Sequence, residues 1–197
     1  MTTVADLTVP EAVVPEALVD EVNRLRAQVR ALTERAERAE ALADHDVLTP
    51  VLNRRGFMAM VSRIMAYCRR HQVPAALIYL DLDGFKRIND DLGHAAGDAA
   101  LIGVAERLLA SVRESDAVGR LGGDEFAVLL VNAGFEEGQA KARQLAHLLE
   151  THPFAWNGRS APLHGSFGVS VLDDQADPEL WLAQADAAMW LRKKEGR

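Results

Sequence analysis

The spacing of apolar residues divides the chain into three parts. Residues 1–16 show no hydrophobic period and contain two prolines, so we expect a flexible tail there. Over residues 17–45, apolar residues recur at alternating spacings of four and three, which is the heptad pattern of a coiled coil. Its seam positions are Leu18, Val22, Leu25, Val29, Leu32, Ala36, Ala39 and Ala43. Residues 46–197 have the mixed pattern of a globular domain.

The heptad pattern has two interpretations. Valine at one seam position and leucine at the other favour a parallel two-stranded coiled coil, which would make the protein a homodimer. The alternative is a single amphipathic helix packed on its own domain. No glycine or proline lies between Glu16 and Thr49, so one helix can run from about Glu16 to Ala43.

Periodic apolar runs predict the elements of the globular part. Helices are expected at about Arg54–Arg70, Gly97–Val112, Glu136–Leu149 and Glu179–Lys194. Strands are expected at 75–81, 117–121, 126–131 and 163–172, with the second and third joined by a glycine turn. The order approximates βααββαβα, which indicates an α/β (α+β) domain with one sheet, largely antiparallel at its centre, and helices packed on it.

Composition and charge narrow the function classes. The chain has 197 residues, of which 49% are hydrophobic and 26% charged, and this is typical of a globular protein. A net charge of −7 disfavours binding to nucleic acid polymers. The first twenty residues lack Lys and Arg, and no apolar run approaches the ~20 residues that span a bilayer. We therefore expect a cytoplasmic protein without a membrane span.

Cys68 is the only cysteine of the chain. An intrachain disulfide is therefore excluded. The residue stands among apolar neighbours in a helical pattern, which indicates a small buried hydrophobic side chain rather than a nucleophile.

Two acidic pairs carry the candidate chemistry. Asp81 and Asp83 follow a predicted buried strand, and Asp124 and Glu125 lie at the tip of the glycine hairpin. If the two strands are neighbours, these carboxylates converge at one end of the sheet. Carboxylates without cysteine or clustered histidine suit a hard cation such as Mg²⁺, which is commonly completed by substrate phosphates. The alternative is that they are solvated loop residues.

The hairpin 120–126, of sequence RLGGDEF, resembles the signature of GGDEF-domain diguanylate cyclases. Further segments match the family in order and spacing: 46–55, 81–90 with Gly93, His94, Gly97 and Asp98, then 166–169 and 185–189. The resemblance covers about residues 46–197. Pro50, His164 and Trp190 depart from the family's common residues, and none of them is one of the acidic residues. The family implies a palm-like fold similar to nucleotidyl cyclases, here preceded by the coiled-coil helix.

The resemblance also implies an activity. Two GTP molecules would condense into cyclic di-GMP with release of two pyrophosphates. Each subunit of a dimer would hold one GTP, and each ribose 3′-hydroxyl would attack the α-phosphate held by the other subunit. Two Mg²⁺ ions per site, or Mn²⁺, would stabilise the attacking and leaving oxygens.

The resemblance assigns roles to individual residues. The implied metal ligands are Asp81, the Leu82 carbonyl, Asp124 and Glu125. Glu125 is either a ligand or the group that helps to deprotonate the hydroxyl, and the implied catalytic residues are Asp124, Glu125 and Lys86. The implied substrate contacts are Gly84, Phe85, Lys86, Asn89, Asp98, Gly122, Gly123, Lys193 and Arg197. Arg113 and Asp116, five residues before the signature, match the family's product-inhibition site; the alternative for this pair is a solvated helix end.

We therefore expect a dimeric diguanylate cyclase with feedback by its product. One rival is a catalytically silent module that binds GTP or cyclic di-GMP. A second rival is an interaction protein that acts through the coiled coil. The tail or the coiled coil is also where we expect a regulatory protein to bind.

Overall fold

The computed structural model describes residues 16–195. The chain forms two compact units, residues 1–42 and residues 43–197. The described part of the first unit is helix α1, Glu16–Asp44, whose last two residues belong to the second unit. This helix agrees with the prediction, and its seam side chains from Leu18 to Leu32 are exposed. The predicted tail lies outside the described residues, except for Glu16, with which α1 begins.

The second unit contains five further helices and seven strands in its described part. The helices are α2 (Arg54–His71), α3 (Phe85–Leu92), α4 (His94–Ala110), α5 (Phe135–Thr151) and α6 (Pro178–Glu195). The strands are β1 (Leu52–Asn53), β2 (Ala75–Asp83), β3 (Ala117–Gly122), β4 (Glu125–Val131), β5 (Phe154–Trp156), β6 (Arg159–Ala161) and β7 (His164–Val171).

A mixed five-stranded sheet forms the centre of this unit, in the order β1-β3-β4-β2-β7. Only β1 and β3 pair in parallel, so the central strands are antiparallel, as the sequence predicted. One face packs against α4 and α5, and the other packs against α2 and α6. The predicted fold class is therefore confirmed.

Strand β2 lies between the two cores, and its residues alternate between them. Ile78 and Leu80 belong to the core under α4 and α5, whereas Leu77 and Tyr79 belong to the core under α2 and α6. Because successive residues of a strand point to opposite faces, Asp81 follows Tyr79 onto the α6 side. The buried strand thus delivers a carboxylate to the end of the sheet.

Helix α6 packs closely on β7. A Cβ atom on Gly168 would lie 2.1 Å from the carbonyl oxygen of Ala185 and 2.2 Å from the backbone nitrogen of Met189. Only glycine permits this approach of helix and strand. The fully buried Trp181 anchors the first turns of the same helix in the core.

Three features differ from the sequence prediction. The polar segment after β2 is the short helix α3, whose only buried side chain is Ile88, so its apolar period was too brief to be recognised. The strands β5 and β6 form a separate hairpin across Asn157 and Gly158, both with positive φ. Strand β1 has only two residues and depends on its pairing with β3. Cys68 is buried, as predicted.

None of the helices within residues 16–195 is both long and apolar enough to cross a bilayer.

Candidate functional site

The antiparallel pairing of β2 with β4 brings the acidic residues together. Asp81 lies opposite Glu125 in the register of these strands. The backbone N–H of Leu82 donates to the carbonyl oxygen of Asp124 at 3.2 Å. The pair Asp81 and Asp83 and the pair Asp124 and Glu125 therefore lie at the same end of the sheet, as predicted from the sequence. The two pairs are at least 41 positions apart in sequence.

The glycine turn is held by an arginine that sequence reasoning gave no role. The register of β3 and β4 shifts between Arg120 and Gly122, and Gly123 has a φ of 45°, a conformation that favours glycine. The Arg120 guanidinium donates to the Gly123 carbonyl oxygen at 2.9 and 2.7 Å, and to Asp46 Oδ1 at 3.0 Å. Arg120 therefore links the turn before Asp124 to the segment that follows α1.

Asp46 is itself held in place. Its Oδ1 accepts from the Thr49 backbone at 2.9 Å and from the Thr49 hydroxyl at 2.7 Å. Burial opposes ionisation of this carboxyl, but the hydrogen bonds from Thr49 and Arg120 outweigh it and lower the pKa of Asp46. An ionised Asp46 thus links the segment after α1 to the hairpin. The pairing joins residues 74 apart, so no local pattern indicates it.

Asp124 lies in an environment that resists its negative charge. Burial raises the pKa of Asp124, and the carboxylate of Asp81 raises it further. A backbone hydrogen bond and the cations Lys193 and Arg120 act in the opposite direction without cancelling the effect. Two carboxylates that repel one another in a half-buried position form a site suited to a cation.

Lys193 of α6 provides a cation at this position. Its Nζ donates directly to Asp81 Oδ1 and lies 3.2 Å from Asp83 Oδ1. The Ser166 hydroxyl donates to both carboxylate oxygens of Asp83 at 3.0 Å. Burial opposes the charge on Lys193, but its hydrogen bonds to the two carboxylates prevail and raise the pKa of Lys193.

The donor set fits a hard divalent cation only in part. Asp81, Asp124 and Glu125 offer oxygen ligands, and the Leu82 backbone is adjacent. Within residues 16–195, however, no three Asp, Glu, His or Cys side chains are grouped closely enough to hold a metal by themselves. Mg²⁺ is commonly bound by one or two carboxylates and completed by substrate phosphates, and these residues fit that arrangement.

The implied nucleotide contacts surround helix α3. Asn89 lies against α4, where a Cβ on Gly97 would be 1.9 Å from Asn89 Oδ1, so the glycine makes room for the amide. Asp98 follows on α4 and is exposed. Gly84 precedes α3 without a side-chain cap, which leaves the first backbone N–H groups for an anion.

The other implied contacts lie around the same end of the sheet. Phe85 begins α3, with the exposed Lys86 next to it, and the exposed glycines Gly122 and Gly123 form the hairpin tip. Arg197 lies outside the described residues.

Arg113 and Asp116 form a turn before β3. The Asp116 carboxylate accepts from the backbone N–H of Arg113 at 3.0 Å and from that of Val131 at 3.1 Å. The Arg113 side chain is exposed, and no partner for its guanidinium is found in the described part of the chain. Asp116 therefore has a structural role in this turn, whereas Arg113 projects into solvent.

The family model of the "Diguanylate cyclase, GGDEF domain" matches residues 43–197. Among curated proteins, the diguanylate cyclase TpbB of Pseudomonas aeruginosa is 37% identical over 172 residues, which are 86% of this chain and 39% of that protein. The chain spans 14% to 45% of the length of the curated relatives that it matches.

Solved structures resemble the chain as well. The diguanylate cyclase SiaD of Pseudomonas aeruginosa, described in complex with its activator SiaC, has a TM-score of 0.74 at 26% identity, covering 92% of this chain and 75% of that chain. The coiled coil and GGDEF domain of DgcB from Caulobacter crescentus, described in complex with c-di-GMP, has a TM-score of 0.78 at 23% identity, covering 92% and 97%. At that identity the likeness to DgcB concerns the fold. The chain belongs to the family of GGDEF diguanylate cyclase domains.

Proposed function

We propose that this protein is a diguanylate cyclase that condenses two GTP molecules into cyclic di-GMP and two pyrophosphates. The observation that carries the proposal is the meeting of Asp81 with Asp124 and Glu125 at the end of β2, in a domain of this family. These acidic residues support phosphoryl transfer, because that reaction uses divalent cations at the reacting phosphates and carboxylates can hold them there.

The proposed roles are those that the family resemblance implies for these residues. Asn89 and Asp98 read the guanine edge, because an amide and a carboxylate together complement its acceptor and donors. The backbone at Gly84 and Phe85, together with Lys86, Lys193 and Arg197, holds the phosphates. The exposed backbone of the hairpin glycines Gly122 and Gly123 lies beside the nucleotide.

The reaction requires an ionised 3′-hydroxyl and generates charge on the α-phosphate and the leaving pyrophosphate. Two divalent cations per site, Mg²⁺ or Mn²⁺, would supply charge stabilisation at both oxygens when held by Asp81, the Leu82 carbonyl, Asp124 and Glu125. Glu125 either joins these ligands or accepts the proton of the attacking hydroxyl. Lys86 and Lys193 stabilise charge on the leaving group.

A single assay tests the proposal. Purified protein is incubated with GTP and Mg²⁺, and the nucleotides are separated by chromatography. We expect GTP to disappear as cyclic di-GMP and pyrophosphate form in a ratio of one to two. Recovery of unchanged GTP from a protein that binds it would establish the silent module instead.

The domain division and the dimer are part of the proposal. Residues 17–45 serve as the dimerisation helix, residues 46–197 as the catalytic domain and residues 1–16 as a tail. The exposed seam of α1 supports this, since Val22, Leu25 and Val29 are 37%, 47% and 62% exposed and would be covered by a second copy. A coiled coil between two copies would hold their two GTP-loaded domains together and so raise the effective concentration of each domain for the other.

Removal of residues 1–42 tests the role of α1. The remaining unit keeps Ala43, whose carbonyl oxygen accepts from the Asn53 amide at 2.7 Å, so we expect it to fold. Two copies of the truncated domain must then meet by diffusion. Specific activity should therefore rise steeply with protein concentration from the nanomolar range upward. The full chain should be insensitive to dilution over the same range.

A matched pair of substitutions provides the control. Leu25→Asp places a charge on the seam, whereas Ala27→Asp places one on the opposite side of the same turn. Only the seam variant should become monomeric by sedimentation and sensitive to dilution. Equal behaviour of the two variants, or a truncated chain as active as the full one at nanomolar concentration, would contradict the proposed dimer.

Product feedback and an outside regulator complete the proposal. The exposed guanidinium of Arg113 supports a site for cyclic di-GMP, because it can donate a bidentate pair of hydrogen bonds to a phosphate or a guanine edge. The complex of the related SiaD with its activator supports a regulatory protein that contacts the tail or the coiled coil.

A further inference from the structure

Lys193 lies between two carboxylates at the end of β2. Its Nζ donates to Asp81 and lies 3.2 Å from Asp83, while Ser166 holds both oxygens of Asp83. The side chains of Lys193 and Asp81 are only 25% and 22% exposed, so water competes weakly for either charge. In this state the ammonium group neutralises Asp81, which is the proposed metal ligand.

We infer that Lys193 is an internal counter-ion of Asp81. Its ammonium group prevents divalent cations from binding Asp81 until nucleotide phosphates bind the ammonium group instead. The inference rests on the proposed function, because the phosphate site is the second position of the ammonium group. It adds that one lysine serves two anions in turn, the Asp81 carboxylate in the free domain and the phosphates in the loaded one.

A dication bonded to Asp81 Oδ1 would meet the ammonium group that already bonds to that atom, so the lysine must leave first. Leaving is costly without a new anion, since Asp81 and Asp83 both lose their cation and Asp83 keeps only the Ser166 hydroxyl. Phosphates provide that anion, and the cation can then bind. Metal and nucleotide binding are therefore positively coupled, and by linkage each raises the affinity for the other.

Binding of Mn²⁺ to the nucleotide-free protein is measured by electron paramagnetic resonance, in which the signal of the free ion falls as the ion binds. Lys193→Met should bind Mn²⁺ about tenfold more tightly than the unaltered chain, which corresponds to about 1.4 kcal/mol. Lys194→Met is the matched control, because the Lys194 ammonium lies 3.5 Å from the Trp190 ring centre rather than on a carboxylate. It should bind Mn²⁺ like the unaltered chain. Lys193→Gln serves as a second variant if the first is poorly folded.

Two further measurements locate the effect. Asp81→Asn added to Lys193→Met should abolish the gain, because the vacated ligand is then neutral. A GTP analogue that cannot release pyrophosphate should tighten Mn²⁺ binding to the unaltered chain, and tighten it less in Lys193→Met.

The outcomes separate this inference from the proposed function. The counter-ion role of Lys193 is overturned if Lys193→Met and Lys193→Gln bind Mn²⁺ with unchanged affinity. It is also overturned if the gain in Mn²⁺ affinity persists when Asp81→Asn is added. Failure to convert GTP in the chromatographic assay leaves the Mn²⁺ result standing and overturns the cyclase instead.

Discussion

Asp124→Asn is expected to reduce the rate of cyclic di-GMP synthesis by roughly 100-fold or more, the scale seen when one preorganised electrostatic group is lost. The substitution keeps the size of the side chain and leaves the backbone carbonyl that accepts from Leu82 in place. It removes the charge that the proposed cations require. The rate of product formation, measured with saturating GTP and Mg²⁺, checks the expectation.

The same variant should be more stable than the unaltered chain when metal and nucleotide are absent. Burial and the Asp81 carboxylate raise the pKa of Asp124, so the folded state holds this proton more tightly than the unfolded chain does. The stability linked to that proton is complete at low pH and is lost as pH rises through the raised pKa. At neutral pH the ionised Asp124 therefore destabilises the fold, and asparagine removes that cost.

Thermal unfolding at neutral pH measures this second effect. We expect the Tm of Asp124→Asn to lie above that of the unaltered chain, because a higher free energy of unfolding raises Tm. Asp174→Asn, at an exposed position between β7 and α6, is the control and should change neither rate nor Tm. Near-normal synthesis by Asp124→Asn, or a fall in its Tm, would contradict the assignment of Asp124 as a ligand in a repulsive pair.

Arg113→Ala should bind cyclic di-GMP about 10–150-fold more weakly, because charge-assisted hydrogen bonds worth roughly 1.5–3 kcal/mol are lost. The residue precedes β3, whose six residues span about 20 Å before the hairpin is reached. Initial rates should therefore stay similar, while the reaction proceeds further before it stalls. Calorimetry with the product and a full progress curve measure the two effects.

Arg113→Lys is the informative companion, since it keeps the charge and loses the planar pair of donors. We expect it to lie between the unaltered chain and the alanine variant in product affinity. Asp116 is a poor choice for the same test, because its carboxylate also holds the turn through the backbone of Arg113 and Val131. Weakened affinity combined with an equally early stall would place inhibition at the GTP site instead.

The sequence predicted those elements whose pattern is local and repeated. The heptads of α1, the buried run of β2 and the glycine turn before Asp124 are each visible within about ten residues. The separate hairpin of β5 and β6 was missed, although Asn157 and Gly158 are the residue pair that tight turns favour. Helix α3 was missed because one buried side chain, Ile88, gives no period.

The contacts that organise the candidate site were beyond sequence reasoning. Asp46 and Arg120 are 74 residues apart, and Asp81 and Lys193 are 112 apart. Each pair depends on which strands are neighbours and on which face a helix presents. The family resemblance implies a phosphate contact for Lys193, but its pairing with Asp81 appears only once α6 is placed against the sheet.

The contact at Gly168 sets the position of Lys193 through the geometry of a helix. Met189, whose backbone lies against Gly168, precedes Lys193 by four residues. About one helical turn, or 6 Å along the axis, therefore separates Lys193 from the contact at Gly168. One residue more or less in that turn would rotate Lys193 by about 100° around the axis and turn it away from Asp81. Substitutions at the exposed residues 190–192 should therefore be tolerated, whereas the insertion or deletion of one residue between Met189 and Lys193 should not.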